Sequence, residues 1–175
     1  MVVSGPFVTI APLGGLANHK GVENTLLGDD DMPDLKFRAK AYSENPTKTV
    51  VEARGFKIII DEPESLGGTN AGANPVEYLL AALAGCINVV AHVVAKEMGF
   101  ELRGLEIDLE GDLNPARFMG KSTADRAGYK EIRVNIKADT DADAETLSKW
   151  LDAVEDRCPV SDTLSNGTPV KISLV

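Results

Sequence analysis

Between Tyr78 and Ala95 the chain runs 18 residues without a formal charge, YLLAALAGCINVVAHVVA. That length is the lower edge of what can span a bilayer. Asn88 and His92 interrupt it, however, and no Lys/Arg asymmetry flanks it, so a helix buried in protein is the better reading. Its ends are marked locally. Asn74 is a good N-cap, Pro75 suits the first helical position, and Glu77 completes a capping-box spacing. Gly99 is the expected stop after Met98. On a helical wheel Glu77, Ala81, Gly85, Asn88, His92 and Lys96 share one narrow polar or small stripe, and the rest is apolar. A helix so greasy must be covered nearly all round. A small antiparallel sheet cannot do that alone, so a second subunit is the natural cover.

The remainder of the chain supplies that sheet. LKFRAKAY from Leu35, TVVEARG and FKIIID read as three strands, with ENPT as turn chemistry. EPESLGGTNAGA is a loop kinked at Gly67 and Gly68. LRGLEIDLEGDL and YKEIRVNIKAD are two further strands, separated by the loop NPARFMGKSTADRAG. A second helix spans about Asp143 to Arg157, with Leu147, Trp150, Leu151 and Val154 as its apolar stripe. SNGTP then turns into a last strand, VKISLV. The expected class is α+β, an antiparallel β-sheet with two main helices. Residues 1–33 look like an N-terminal extension, ending in the acidic GDDDMPD, and 34–175 like one domain.

Composition excludes several partners. Eighteen Lys plus Arg against 27 Asp plus Glu give a formal charge of −9, with no basic cluster, which argues against nucleic acid or an anionic membrane. Two histidines and two cysteines form no zinc pattern and no CxxC, so no metal or other cofactor is expected. No secretory leader pattern is visible in MVVSGPFVTIAPLGGLANHKG, and a cytoplasmic, reducing setting is the expectation.

The two cysteines are 72 positions apart. Cys86 falls mid-helix, on the apolar face with Leu79, Leu83, Val90 and Val93, and about three turns from the helix start. Two readings stand at this point: an inert core thiol, whose pKa burial raises, or a nucleophile. Cys158 precedes Pro159, so CPVS can open a new helical turn with Cys158 at the N-cap. Free N–H groups there would favour a thiolate.

NPVEYLLAALAGC followed by CPVSDTL, with DEPESLGG before the helix, resembles the OsmC/Ohr family of osmotically induced and organic hydroperoxide resistance proteins. The resemblance implies an intertwined homodimer with cysteine-bearing helices at its centre. It further implies a peroxiredoxin-like thiol peroxidase, in which Cys86 attacks an organic hydroperoxide and Cys158 resolves the sulfenic acid as a disulfide, later reduced by a dithiol. The family's peroxidases use an Arg of the N-terminal hairpin, held by a Glu directly after the Asn-Pro. Val76 stands at that position here; Glu77, one residue later, is the candidate for the role, but lying 100° round the helix it fits a cap better. The hairpin offers Lys48 in place of the Arg, with Arg38 and Arg54 on the flanking strands. The alternative is a dimeric protein of the same fold, stress-associated or binding an apolar ligand, without turnover.

Overall fold

The computed structural model describes residues 32–175. Most of the expected N-terminal extension therefore lies outside the described residues. From Arg38 onward the chain forms one compact unit. Its elements in order are β1 (Lys40–Ser43), β2 (Thr49–Ala53), β3 (Phe56–Ile60), a single 3₁₀ turn (Glu64–Leu66), α1 (Pro75–Met98), β4 (Gly104–Asp112), β5 (Glu131–Asp139), α2 (Ala144–Arg157) and α3 (Pro159–Ser165). The α+β class and the antiparallel pairing hold. The strands divide, however, into two sheets, β1-β2-β3 and β4-β5, and a third helix joins the two expected ones.

The helix α1 follows its local signals closely. The Glu77 N–H donates to Asn74 Oδ1 at 2.9 Å, and the Asn74 N–H donates to the Glu77 carboxylate at 2.8 Å. Gly99 ends it in the left-handed region (φ +79°), where a side chain would be strained. Leu83, Ile87, Ala91, Val94 and Ala95 form its buried stripe. They meet Trp150 and Val154 of α2, and the Trp150 indole N–H donates to the Ala91 carbonyl at 2.9 Å. Phe100 stands edge-on to Trp150, with ring centroids 6.3 Å apart.

Strict alternation along β4 and β5 puts Leu105, Ile107, Leu109, Ile132, Val134 and Ile136 against this helical core. The opposite face is charged and cross-linked: Arg133 binds Glu110, Asp112 and Glu131, and Lys137 binds Glu106 directly across the ladder. By length and composition alone α1 could cross a bilayer, but one face is thus built for contact with α2 and the β4-β5 sheet.

Two expected strands differ. The first begins at Lys40 rather than Leu35, because its partner β2 ends at Ala53 and offers no ladder beyond the Lys40–Glu52 pair. Leu35 and Phe37 are left exposed. VKISLV, residues 170–175, expected as the last strand, forms no regular structure, and Val170, Ile172 and Leu174 are largely exposed. The alternating pattern is present, but no sheet edge among the described residues pairs with it. Arg54 is not on a strand; with Gly55 it makes the two-residue β2–β3 turn, both at positive φ (51° and 87°), the type I′ geometry that suits a hairpin.

The segment joining β3 to α1 is tied to one buried carboxylate. Asp61 accepts from the Thr69 hydroxyl at 2.6 Å and from the backbone N–H groups of Glu62, Thr69 and Ala71 at 2.9 to 3.1 Å. The Thr69 hydroxyl foremost, with these N–H groups, holds Asp61 far below the usual carboxylate range. Gly68 is required by close approach, since a Cβ there would lie 1.8 Å from the Glu62 carbonyl oxygen. The Tyr78 hydroxyl then ties α1 to the Ile59 carbonyl of β3 at 2.8 Å.

Because the folded-state pKa of Asp61 is depressed, its contribution is complete above the unfolded carboxylate pKa and is lost as pH falls below that value. Asp61→Asn is therefore expected to lower the melting temperature at pH 7 and to flatten the acid-side loss of stability. Thermal melts from pH 7 to pH 3 on both proteins check this; parallel curves would count against it.

Candidate active site

The fold brings the two cysteines together. Cys86 lies on the fourth turn of α1, partly buried against the core, and Cys158 is wholly buried where α2 ends and α3 begins. The Cys158 thiol is close enough to Cys86 to influence its ionisation directly. Both are free thiols. Two features hold the α2–α3 junction against α1. Arg157, the residue before Cys158, pairs through its guanidinium with Glu97 near the end of α1. Val154, one turn back, is fully buried in the same core.

Cys158 does occupy the N-cap of α3, with Pro159 following, as the sequence predicts. Its sulfur, however, makes no capping hydrogen bond. The N–H of Val160 bears on Cys86 instead. Burial pushes the Cys86 thiol above its ordinary pKa, the Val160 N–H pulls it part of the way back, and the neighbouring Cys158 thiol raises it further. The start of α3 thus serves the other cysteine. Sequence reasoning misses Val160 because the group that matters is backbone, and its partner is 74 positions away.

Among the described residues of one chain, no Lys or Arg contributes to the environment of Cys86. Lys48 is engaged with Glu44 at 2.9 Å in the β1–β2 turn, and Arg54 lies over the Phe56 ring at the far hairpin tip. Glu77 closes the capping box, with its carboxylate on the Asn74 N–H. His92, through Nδ1, contacts the Asn88 carbonyl at 2.9 Å on the exposed side of α1. Val93, seven residues after Cys86 and so on nearly the same line of the helix, is 43% exposed, so the face that the two share is only partly covered in one chain. A cleft of about 350 Å³ opens beside Cys158, bounded by Leu83 and Ile87 of α1, Val134 and Ile136 of β5, and Cys158 itself; Cys86 does not line it.

Comparison with known proteins decides the family. Residues 68–173, more than half of the chain and including both cysteines, match the family described as OsmC-like protein. The chain belongs to that family. A hydroperoxide reductase of Mycoplasma genitalium is 24% identical over 142 residues, covering 81% of this chain and 95% of the relative. Among solved structures, an OsmC-like protein from Mycoplasma pneumoniae superposes with a TM-score of 0.67 at 22% identity, covering 77% of this chain and 91% of that one. An organic hydroperoxide resistance protein OsmC from Legionella pneumophila gives 0.57 at 20% identity, over 77% and 93% of the two chains. The OsmC-like fold is thereby established. The relatives' names point to peroxide-related redox chemistry.

Replacing Val160 by Pro removes its N–H at the second position of α3, where proline is tolerated, along with part of a side chain packed on the core. Losing a donor to the thiolate raises the Cys86 pKa further. The iodoacetamide alkylation profile of Cys86 should then move about one pH unit to the alkaline side, with Val160→Leu unchanged as the fold control. Coincident profiles would show that the peptide group does not act on the thiol.

Proposed function

We propose that this OsmC-like chain is a thiol-dependent organic hydroperoxide reductase, with Cys86 as the attacking thiol and Cys158 as the resolving one. The observation that carries the reading is the pairing of two distant cysteines of unequal exposure: Cys86 is partly exposed, and Cys158 is buried. In the step proposed, the Cys86 thiolate attacks the distal oxygen of ROOH and breaks the O–O bond. The alkoxide leaves as ROH after taking a proton, and Cys86 becomes a sulfenic acid. The Cys158 sulfur then attacks the Cys86 sulfur and releases water, forming the disulfide. A dithiol reduces that disulfide and is itself oxidised. The cleft beside Cys158 offers apolar wall for an organic substituent in Leu83, Ile87, Val134 and Ile136. Glu77 keeps its capping place in this scheme and takes no part in the proton transfers.

The working unit in this proposal is a homodimer in the reducing cytoplasm. Three unfilled contacts support it. The α1 face carrying Ala81, Ala82, Gly85 and Val89 is exposed; Phe56, Ile58 and Ile60 share one face of the β1-β2-β3 sheet, against which no described helix packs closely; and residues 170–175 have no strand partner among the described residues. A second copy would also bring a second hairpin, and with it cations that one chain does not place at Cys86. A specific observation favours the other reading, an OsmC-like protein without turnover: the Cys86 thiol is pushed up rather than down.

One equivalent of cumene hydroperoxide separates the two. The reductase should lose both free thiols and two hydrogens by intact mass, Cys86→Ser should be inert, and Cys158→Ser should trap a dimedone-reactive sulfenic acid. Wild-type thiols that survive the peroxide would leave only the non-catalytic reading.

The dimer has its own test. Val89→Asp, on the exposed face of α1, should shift sedimentation from two copies to one and cut peroxide consumption at least tenfold, because half of the contact would bury an unpaired charge. Sedimentation of the wild-type chain as a monomer would remove the dimer from the proposal.

A further inference from the structure

The chain holds a single Asn-Gly step, Asn166–Gly167, and it stands directly after α3. Asparagine is thermolabile because its side-chain amide can be attacked by the peptide nitrogen that follows. Among the described residues, Asn45, Asn74 and Asn114 cannot react in this way, since each precedes a proline, which has no N–H to give up. Three more are held. The Ala71 N–H after Asn70 donates to Asp61 at 3.1 Å, Asn88 lies inside α1 before Val89, and Asn135 lies inside β5 before Ile136. In the last two the backbone is locked by helix or ladder, and a β-branched neighbour crowds the approach.

Asn166 has none of these protections. It is the exposed C-cap of α3, with φ −108° and ψ 2°. The Gly167 N–H makes no hydrogen bond among the described residues. Gly167 sits at φ +70°, and nothing comes within 4 Å of the position a Cβ would take there. What holds Asn166 is Asp162: the Asn166 N–H donates to the Asp162 carbonyl at 2.9 Å, and Nδ2 donates to the Asp162 carboxylate at 2.7 Å. Attack needs ψ to swing well away from 2°, so the last turn of α3 has to open first. That helix is seven residues long and has no fully buried residue, so the opening costs little.

We propose that Asn166–Gly167 is a self-modifying site that converts spontaneously to aspartate and isoaspartate, and that the new carboxylate loosens α3. The Gly167 nitrogen gives up its proton and attacks the side-chain carbonyl carbon of Asn166. The bond from that carbon to Nδ2 breaks, and ammonia leaves with the proton, closing a succinimide ring. Water then opens the ring at either carbonyl; no electrons are transferred and no other reactant enters. The product carries a carboxylate four residues after Asp162, at the C-terminal end of α3, and has lost the Nδ2 donor. Like charge at that spacing and the helix dipole both count against it. The first turn of α3 carries the Val160 N–H that bears on Cys86, and Leu164 and Ser165 border the cleft beside Cys158, so the surroundings of both thiols age with residue 166. The conversion itself uses neither cysteine.

Warm incubation of the full chain in mildly alkaline buffer, followed by trypsin and mass spectrometry, is the test. Trypsin releases Cys158–Lys171, in which Asn166 is the one asparagine. That peptide should take on the mass of an amide-to-acid exchange at least about tenfold faster than peptides carrying the other asparagines, and isoaspartyl methyltransferase should label it. Asn166→Gln, whose longer side chain closes a ring far less readily, should stay unmodified. Asn166→Asp, a stable stand-in for one product, should exchange its α3 amide hydrogens about threefold faster at neutral pH than Asn166→Ser, which loses the same donor without gaining a charge. Asn166 intact after the incubation, conversion spread evenly over the asparagines, or equal exchange in the Asp and Ser variants would each overturn the proposal.

Discussion

Everything in this structure is arranged around the cover of one helix. α1 buries Leu83, Ile87, Ala91, Val94 and Ala95 on a single side, where Trp150, Val154 and the inner faces of β4 and β5 meet them. The other side shows Val89 and Val93 to solvent. Burial of apolar surface contributes roughly 25 cal/mol per Å², so an uncovered valine face on the longest helix is a standing drive toward association. The same half-covered state gives Cys86 its character. It lies at the margin of the covered side, dry enough for the thiol to be pushed up, yet still reachable.

The placing of Cys158 follows from how helices end. α2 stops at Arg157 and α3 starts at Pro159, so Cys158 is the last cap of one helix and the first of the next. Proline tolerates a first helical position and no interior one, which fixes the break at this residue. Glu97 then grips the preceding Arg157, so the break is pinned to the far end of α1 while the thiol points to its middle. Two short-range rules and one ion pair bring together sulfurs that are distant in sequence.

What the sequence reveals about this fold depends on how local each determinant is. The bounds of α1 are written in Asn74, Pro75, Glu77 and Gly99, and those bounds hold in the structure. The alternation of β4 and β5 is legible for the same reason. VKISLV carries an equally clear strand pattern, yet forms none, because a strand needs an edge and the edge is not local. The candidate site divides the same way. The cysteines can be picked out by motif, whereas the donor from Val160 depends on packing between remote segments.

One consequence concerns how position 160 would vary. Among the described residues, the only influence that favours the Cys86 thiolate is a peptide N–H, not a side chain. Every residue except proline supplies the same group. Side-chain identity at this position is therefore free to drift for reasons of packing alone. A survey that replaces each residue in turn with alanine would pass over it, recording a modest packing loss and leaving the chemistry intact. The polar contact most directly concerned with the thiol is encoded by where the chain breaks between two helices, and so is held in place by Pro159 and Arg157 rather than by the residue that makes it.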